Sequence, residues 1–329
     1  MDRDIALEIA SLIGQPINPQ LPVPVELQAI ADTFVAKPGE KIWKFNALDT
    51  YADVVCDVDP TNGVITAIKR DPVGVVEIAF KGLNSKLEYV LLDTVLASPD
   101  TDVLARRKES ITRGMDKREM KVILDAIVGS TATYMPGSER PFNYQHTGAD
   151  LYDVLIGMKH ALEDYGTDYV LLAGSRVKEA IDLYDKSNVA TFRYNVTLPM
   201  KLKELGIEVI KIYGKISSDV SGSEVQSYML DPFKAIMVAK DSRIAEGKPI
   251  KFVRRQITPE IAKLMGAEVN EAQRALVVNP TPVNVGGYNT LAYGVFGYES
   301  VIFAITNTKA ICWSDMTGVV VADSNIATN

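Results

Sequence analysis

The sequence predicts an α+β fold in which blocks of strands and helices follow one another along the chain. Residues 52–96 carry strand periodicity with no helix among them. Residues 100–128 carry helical periodicity under a heavy load of charge. From residue 150 helices and strands interleave, and beyond residue 283 the pattern returns to strands.

Size and composition exclude several classes. A chain of 329 residues buries roughly three quarters of its unfolded surface when compact, so it needs no disulfide or metal staple. With 47% hydrophobic and 23% charged residues it is not a disordered chain. No stretch reaches the roughly 18 apolar residues of a membrane helix. The opening residues are acidic and amphipathic where an export signal would be basic and then continuously apolar. No membrane association and no export by that route are therefore expected. A net charge of −7 argues against nucleic acid as a sequence-read ligand. Cys56 and Cys312 are the only cysteines and His146 and His160 the only histidines, and none has the spacing of a zinc site. A Cys56–Cys312 disulfide stays open, but two small apolar residues in a reducing compartment are the better reading. No metal and no cofactor is expected.

Each element has a local cause. Residues 4–13 form a short amphipathic helix with Ile5, Ile9, Leu12 and Ile13 on one face. Pro16, Pro19, Pro22 and Pro24 then force extended backbone, which makes the start of the chain an arm. Two hairpins are expected next. One pairs residues 53–57 with 64–69 around Asp59-Pro60-Thr61-Asn62-Gly63, and the other pairs 75–81 with 86–92 around Gly82-Leu83-Asn84-Ser85. The helix over 100–128 has acidic residues at its start and Gly129 past its end. Its charged middle leaves only a thin apolar stripe of Leu104, Ile111, Met115 and Val122, the pattern of a strut polar nearly all round. At 1.5 Å per residue it spans roughly 42 Å.

The later half reads as follows. Leu151, Leu155, Met158, Leu162 and Tyr165 mark a helix with a buried face, and 169–173 an apolar strand. Helices follow at 176–184 and 199–205, with a strand at 207–212. Residues 217–223 read as polar and flexible, and 225–230 and 233–239 as a hairpin around Asp231-Pro232. A strand at 250–257 leads to a helix opened by Thr258-Pro259 and closed by Gly266. The last strands are 283–285, 291–296, 301–306 and 310–314.

The chemical motifs in the chain have plain structural causes. No phosphate loop and no dinucleotide fingerprint is present, and Gly286-Gly287 and Gly294-x-x-Gly297 read as bulges or close packing. Asp57-x-Asp59 lacks the glutamate of a calcium loop, having Ile68 in its place, and reads as a turn. Ser175-x-x-Lys178 matches the nucleophile motif of penicillin-recognising enzymes, but the companion motifs are missing and Ser175 reads as a helix cap. Neither histidine suggests a triad, and no catalytic residue is assigned. Arg106, Arg107 and Lys108 are candidates for facing phosphate, as are Lys251, Arg254 and Arg255, against the default of ion pairing on a solvated surface.

The order of parts, together with residues 171–185 (LLAGSRVKEAIDLYD), 228–241 (YMLDPFKAIMVAKD) and 294–306 (GVFGYESVIFAIT), resembles the major capsid proteins of tailed bacteriophages. The resemblance runs from about residue 25 to 314. It implies an HK97-like major capsid fold with an N-terminal arm (1–50), an extended β loop (51–96), a peripheral domain with a long spine helix (97–148 and 283–329) and an α/β axial domain (149–282). It implies a structural protein and not an enzyme. Its partners would be further copies of itself in hexamers, pentamers and a closed icosahedral shell, with a separate scaffolding protein, a portal, decoration proteins in some particles, and packaged double-stranded DNA held without sequence readout. The implied location is the virion capsid, assembled in the bacterial host cytoplasm. Ile5, Ile9, Leu12, Lys69, Arg70, Lys81 and Lys86 are candidate inter-subunit contacts, and Arg106, Arg107 and Lys108 candidate DNA-facing residues. Three other readings stay open: an encapsulin-like compartment around protein cargo, a cytosolic α/β enzyme with a scattered site, and another phage structural component.

Overall fold

The computed structural model describes residues 24–46, 75–97, 102–129, 140–146, 150–184, 197–220, 223–242, 247–270 and 273–323. The expected helix at 4–13, the hairpin between 53–57 and 64–69, and Cys56 lie outside these residues. In chain order the elements are α1 (Val25–Ile30), β1 (Ala31–Ala36), β2 (Ile42–Asn46), β3 (Val75–Ala79), β4 (Lys81–Asn84), β5 (Glu88–Leu91), α2 (Leu92–Ala97), α3 (Asp102–Val128) and β6 (Phe142–Asn143). Then come α4 (Leu151–Leu162), β7 (Gly166–Ala173), α5 (Ser175–Leu183), α6 (Leu198–Glu204), β8 (Ile207–Lys211), β9 (Lys215–Val220), β10 (Ser223–Tyr228) and β11 (Lys234–Ser242). The chain continues with β12 (Ile250–Arg255), α7 (Pro259–Leu264), β13 (Ala267–Val269), β14 (Ala275–Val285), β15 (Tyr288–Ile305), a 3-10 turn (Thr308–Ala310), β16 (Ile311–Asp315) and α8 (Thr317–Asp323).

Two larger sheets organise these elements. The five-stranded sheet has the order β6-β16-β11-β7-β8. Its central strands are apolar on both sides, as strands covered on both faces must be. Val170, Leu172, Ile236 and Val238 point to one side, where they meet Met120, Ile123, Leu124 and Ile127 of α3. Tyr169, Leu171, Ala173, Ala235 and Met237 point to the other, against Leu155 and Met158 of α4 and Val177 and Ile181 of α5.

The seven-stranded sheet is built on β15. This 18-residue strand carries β12 at residues 301–305 and β14 at 288–298. It pairs with β5 at 292–295 and β4 at 298–301. Since Tyr298 faces both Asn84 and Ala275, and Val301 both Lys81 and Arg254, β4 and β5 occupy one edge while β12 and β14 share the other. The β14–β15 hairpin turns at Gly286 and Gly287, whose φ values of 60° and 88° are those of a tight two-residue turn. Strand β1 extends the sheet by pairing in parallel with β12.

Helix α3 starts within two residues of expectation and ends where expected. Its apolar surface is wider than the thin stripe read from sequence. Met120, Ile123, Leu124, Ala126 and Ile127 are buried between the two sheets, joined by Leu27 and Ile30 of α1, while Ile111 and Met115 lie against Val90, Leu276 and Val295. The helix approaches β15 so closely that a Cβ at Gly297 would fall 2.6 Å from Met115 Sδ and 2.8 Å from Ile111 Cγ2, so close packing explains that glycine.

Several local expectations are corrected. Residues 82–84 are strand and not turn, because β15 offers both β4 and β5 a backbone partner and they pair with it rather than with each other. The polar residues 215–220 are strand β9, paired with β10, since ladder hydrogen bonds ask nothing of side-chain polarity. Strand β11 therefore does not pair with β10; it sits between β7 and β16. The strands expected at 291–296 and 301–306 are one continuous β15, and that at 283–285 is the end of the eleven-residue β14. The sheets also divide the chain differently from the expected boundaries. Residues 25–36, assigned to an arm, are docked on the seven-stranded sheet. Strands β12, β13 and β14 belong to that sheet as well, whereas β16 and α8 join the α/β body.

Candidate assembly surfaces and a buried charge cluster

Of the residues singled out as inter-subunit contacts, Ile5, Ile9, Leu12, Lys69 and Arg70 lie outside the described residues. Lys81 and Lys86 are exposed, the first on β4 opposite Val301 and the second just before β5. The candidate DNA-facing residues sit on the first turns of α3. Arg106 and Arg107 are exposed, yet Arg107 Nη1 lies 3.2 Å from Glu88 and Lys108 Nζ 2.5 Å from Glu268. Those two cations brace α3 against β5 and β13. Lys251 is likewise held 2.6 Å from Asp32, and Arg255 stacks over Phe80 at 4.4 Å. Arg254, read as a possible phosphate contact, is wholly buried and cannot reach one.

Beyond the reach of α3, the seven-stranded sheet exposes an apolar surface. Alternation on β5 turns Val90 inward to Ile111 and Met115 and leaves Tyr89 and Leu91 outward. Tyr89 is opposite Gly294 and Leu91 opposite Ala292, so no bulky cross-strand neighbour covers either ring or branch. Val285 and Tyr288 pair at the hairpin tip, and Tyr288 is 82% exposed. A second open feature is a shallow pocket of about 710 Å³ between α5 and β10, lined by Ser175, Arg176, Lys178, Glu179, Lys211 and Tyr228. Lys178 is bound there by Asp182, and the amides of Arg176 and Val177 donate to the Pro232 carbonyl. The lysine of the Ser175-x-x-Lys178 pair and the amides of Arg176 and Val177 are thus already engaged.

The chemically most unusual feature is internal, and sequence reading missed it. Glu119 of α3 receives three hydrogen bonds from Arg254 of β12, one from Nε at 2.9 Å and two from Nη2 at 2.7 Å. Arg274, just ahead of β14, places Nε 2.6 Å from Glu299 of β15, Nη1 2.6 Å from Asp116 and Nη2 2.9 Å from Glu119. The turn that presents Arg274 is held by Asn270, whose side chain accepts from the Arg274 amide, and by Gln273 at φ 57°. Glu119, Arg254, Arg274 and Glu299 are essentially inaccessible to solvent, and Asp116 is partly open. Burial, and then the neighbouring Glu119, push the Glu299 carboxyl up to about 8 against the pull of the two arginines. Burial opposes the charge on Arg274, but Glu119, Glu299 and Asp116 outweigh it and raise its pKa above the ordinary arginine value. The partners are separated by 25 to 158 residues in sequence, and each alone reads as a surface charge.

The histidines and cysteine are ordinary. His160 is largely exposed beside Glu163, His146 Nε2 is 2.7 Å from the Asp315 carbonyl, and Cys312 is a buried free thiol. No group of three or more metal-ligating side chains occurs among the described residues. No helix among them is long and apolar enough to cross a membrane.

Comparison with known proteins bears on the fold. No family model matches the sequence, and no curated protein matches it. Among solved structures, the chain is similar to the capsid of an empty GTA particle, with 12% identity, a TM-score of 0.52, and coverage of 96% of this chain and 99% of that one. It is also similar to the procapsid of satellite phage P4 (9% identity, TM-score 0.47, covering 96% and 98%). A third match is the holo-SrpI encapsulin complex of Synechococcus elongatus PCC 7942 (12% identity, TM-score 0.44, covering 97% of each chain). The match to the GTA capsid spans nearly the whole of both chains, and the chain has the HK97-like capsid fold. This is a mixed α+β fold.

Proposed function

We propose that the chain is a major capsid protein that assembles through hexamers and pentamers into an icosahedral shell around phage double-stranded DNA. The observation that supports this most is the fold itself, matched over 96% of the chain to a capsid subunit. The apolar face formed by Tyr89, Leu91, Val285 and Tyr288 adds to it, since obligate assemblies bury more than about 2,000 Å² per contact. In this reading the α/β body centres the capsomer, residues 53–74 lie over the adjacent subunit, the extended loop being shorter than the expected 51–96 because β3, β4 and β5 pair within the chain itself, and residues 5–25 tie to another. Lys81 and Lys86 are exposed on the subunit's own seven-stranded sheet, where a neighbouring subunit would meet them. A separate scaffolding protein guides closure, and portal and decoration proteins join the shell. Arg106, Arg107 and Lys108 face DNA only where the pairs with Glu88 and Glu268 open. A net charge of −7 suits a container that must release what it holds.

The test is to express the chain alone and with a candidate scaffold, then combine negative-stain electron microscopy with size-exclusion chromatography. Closed shells or capsomer rings support the proposal; a monodisperse single chain or dimer under both conditions overturns it. Nucleic acid in native particles separates a phage capsid from an encapsulin-like compartment, which would hold protein instead. Deleting residues 1–24 or 63–70 should leave soluble subunits that form no shells, and normal shells from both deletions would count against the assigned contacts.

A further inference from the structure

Asp116, Glu119, Arg254, Arg274 and Glu299 set three carboxylates against two guanidiniums in a site from which water is almost wholly excluded. Both Glu119 oxygens accept from Arg254, whereas among the described residues Glu299 Oε1 has no hydrogen-bond partner and Arg274 Nη2, 2.9 Å from Glu119, makes an ion pair without a hydrogen bond. An unmatched buried charge and an orphaned acceptor are both costly, and one proton on Glu299 removes both the charge and the strongest demand for a donor. The cluster also joins parts that must keep their relative position. Asp116 and Glu119 come from α3, Arg254 from β12, Arg274 from the turn before β14, and Glu299 from β15.

We propose that this cluster is a one-proton joint between α3 and the seven-stranded sheet, in which a proton on Glu299 balances the buried charges and holds the helix more tightly. The groups facing Glu299 are Glu119 on α3, Arg254 on β12 and Arg274 before β14; β4, which pairs with β15 at this point, contributes Leu83 opposite Glu299. His146 and His160 contact other groups, at Asp315 and Glu163. The folded chain keeps the proton on Glu299 up to about pH 8, whereas an unfolded glutamate releases it near 4.5. The folded state therefore binds more protons within that window. The stability due to this group is fully present below about pH 4.5 and is lost as pH rises through about 8. This inference does not depend on shell formation and applies to free and assembled chains alike.

The experiment compares the wild-type chain with Glu299→Gln by denaturant unfolding between pH 6 and 9.5. In the wild type the unfolding equilibrium constant should rise as pH increases from 6 towards 8, by at most tenfold per pH unit for a single proton, and level off above about 8. In Glu299→Gln that rise should be absent. Amide exchange at residues 112–124, corrected for its intrinsic pH dependence, should show the same contrast, because the joint holds that part of α3. Should the variant fail to fold, the wild type alone decides. Unfolding at pH 7.5, followed calorimetrically in two buffers of different ionisation enthalpy, should release close to one proton per chain, at a pH where ordinary histidines are mostly neutral. Identical pH profiles for the two chains, or no proton released by the wild type, would overturn the proposal.

Discussion

Arg254→Met tests the accounting of the charge cluster most directly. Methionine keeps the stem of the side chain but removes the guanidinium, and with it the cation–π contact to Phe252. Three charge-assisted hydrogen bonds to Glu119 disappear, and the remaining Arg274 faces three carboxylates, of which only Asp116 is partly open to water. One-sided removal of a buried ion-pair partner costs about 3–5 kcal/mol. With an unfolding entropy of about 2.1 cal/mol/K per residue, a chain of 329 residues should lose about 4–7 °C in Tm. The same balance predicts partial rescue. Glu299→Gln in the Arg254→Met background removes one of the excess negative charges, and Glu299 lies 3.9 Å from Arg254, so the two changes should couple by about 1–2 kcal/mol. Differential scanning calorimetry at pH 8.5 on wild type, both single variants and the double variant closes the cycle. A loss below about 1 kcal/mol for Arg254→Met, or strict additivity in the double variant, would refute the reasoning.

Two further outcomes follow from packing. A Cβ at Gly157 would collide with the Tyr144 ring, which lies across α4, so Gly157→Ala should destabilise by about 1–3 kcal/mol in urea titrations, and Tyr144→Ala in the same chain should relieve part of that cost. Cys312 is buried in β16 and its thiol is pushed up to about 12 by that burial, so in a Cys56→Ser chain it should resist a thiol reagent at pH 8 and react at the global unfolding rate. Rapid native labelling would show that the packing around β16 is wrong.

Much of the fold was legible because its elements are stabilised locally. The apolar run at 169–173, the face of Leu151, Leu155, Met158 and Leu162, and the Thr258-Pro259 start of α7 all appear where periodicity and capping place them. At α7 the Thr258 hydroxyl accepts from the Ile261 amide at 3.4 Å, the local bond such a signal encodes. The errors share one cause, which is strand partnership. Gly82-Leu83-Asn84 carries turn residues, and Asp231-Pro232 does form a turn, with Phe233 N donating to Asp231, but neither turn chemistry says which strand the flanking residues will join. Glycine reads equally well as a turn or a close approach, and only α3 lying over β15 decides the matter at Gly297.

The sequence by itself determined the order and type of most elements, the long helix, and the presence of parts that alternate between α/β and β character, because hydrogen bonding within a helix and the two-sided burial of β7 and β11 are written in neighbouring residues. Only the tertiary structure decided that β15 is one strand serving four partners, that residues 25–36 complete its sheet, and that Glu119, Arg254, Arg274 and Glu299 meet. Charges in sequence default to solvent, since isolated burial is prohibitively costly. What brings these four inside is mutual compensation between α3 and a sheet whose arginines lie more than a hundred residues further along the chain, and compensation of that kind has no local signature.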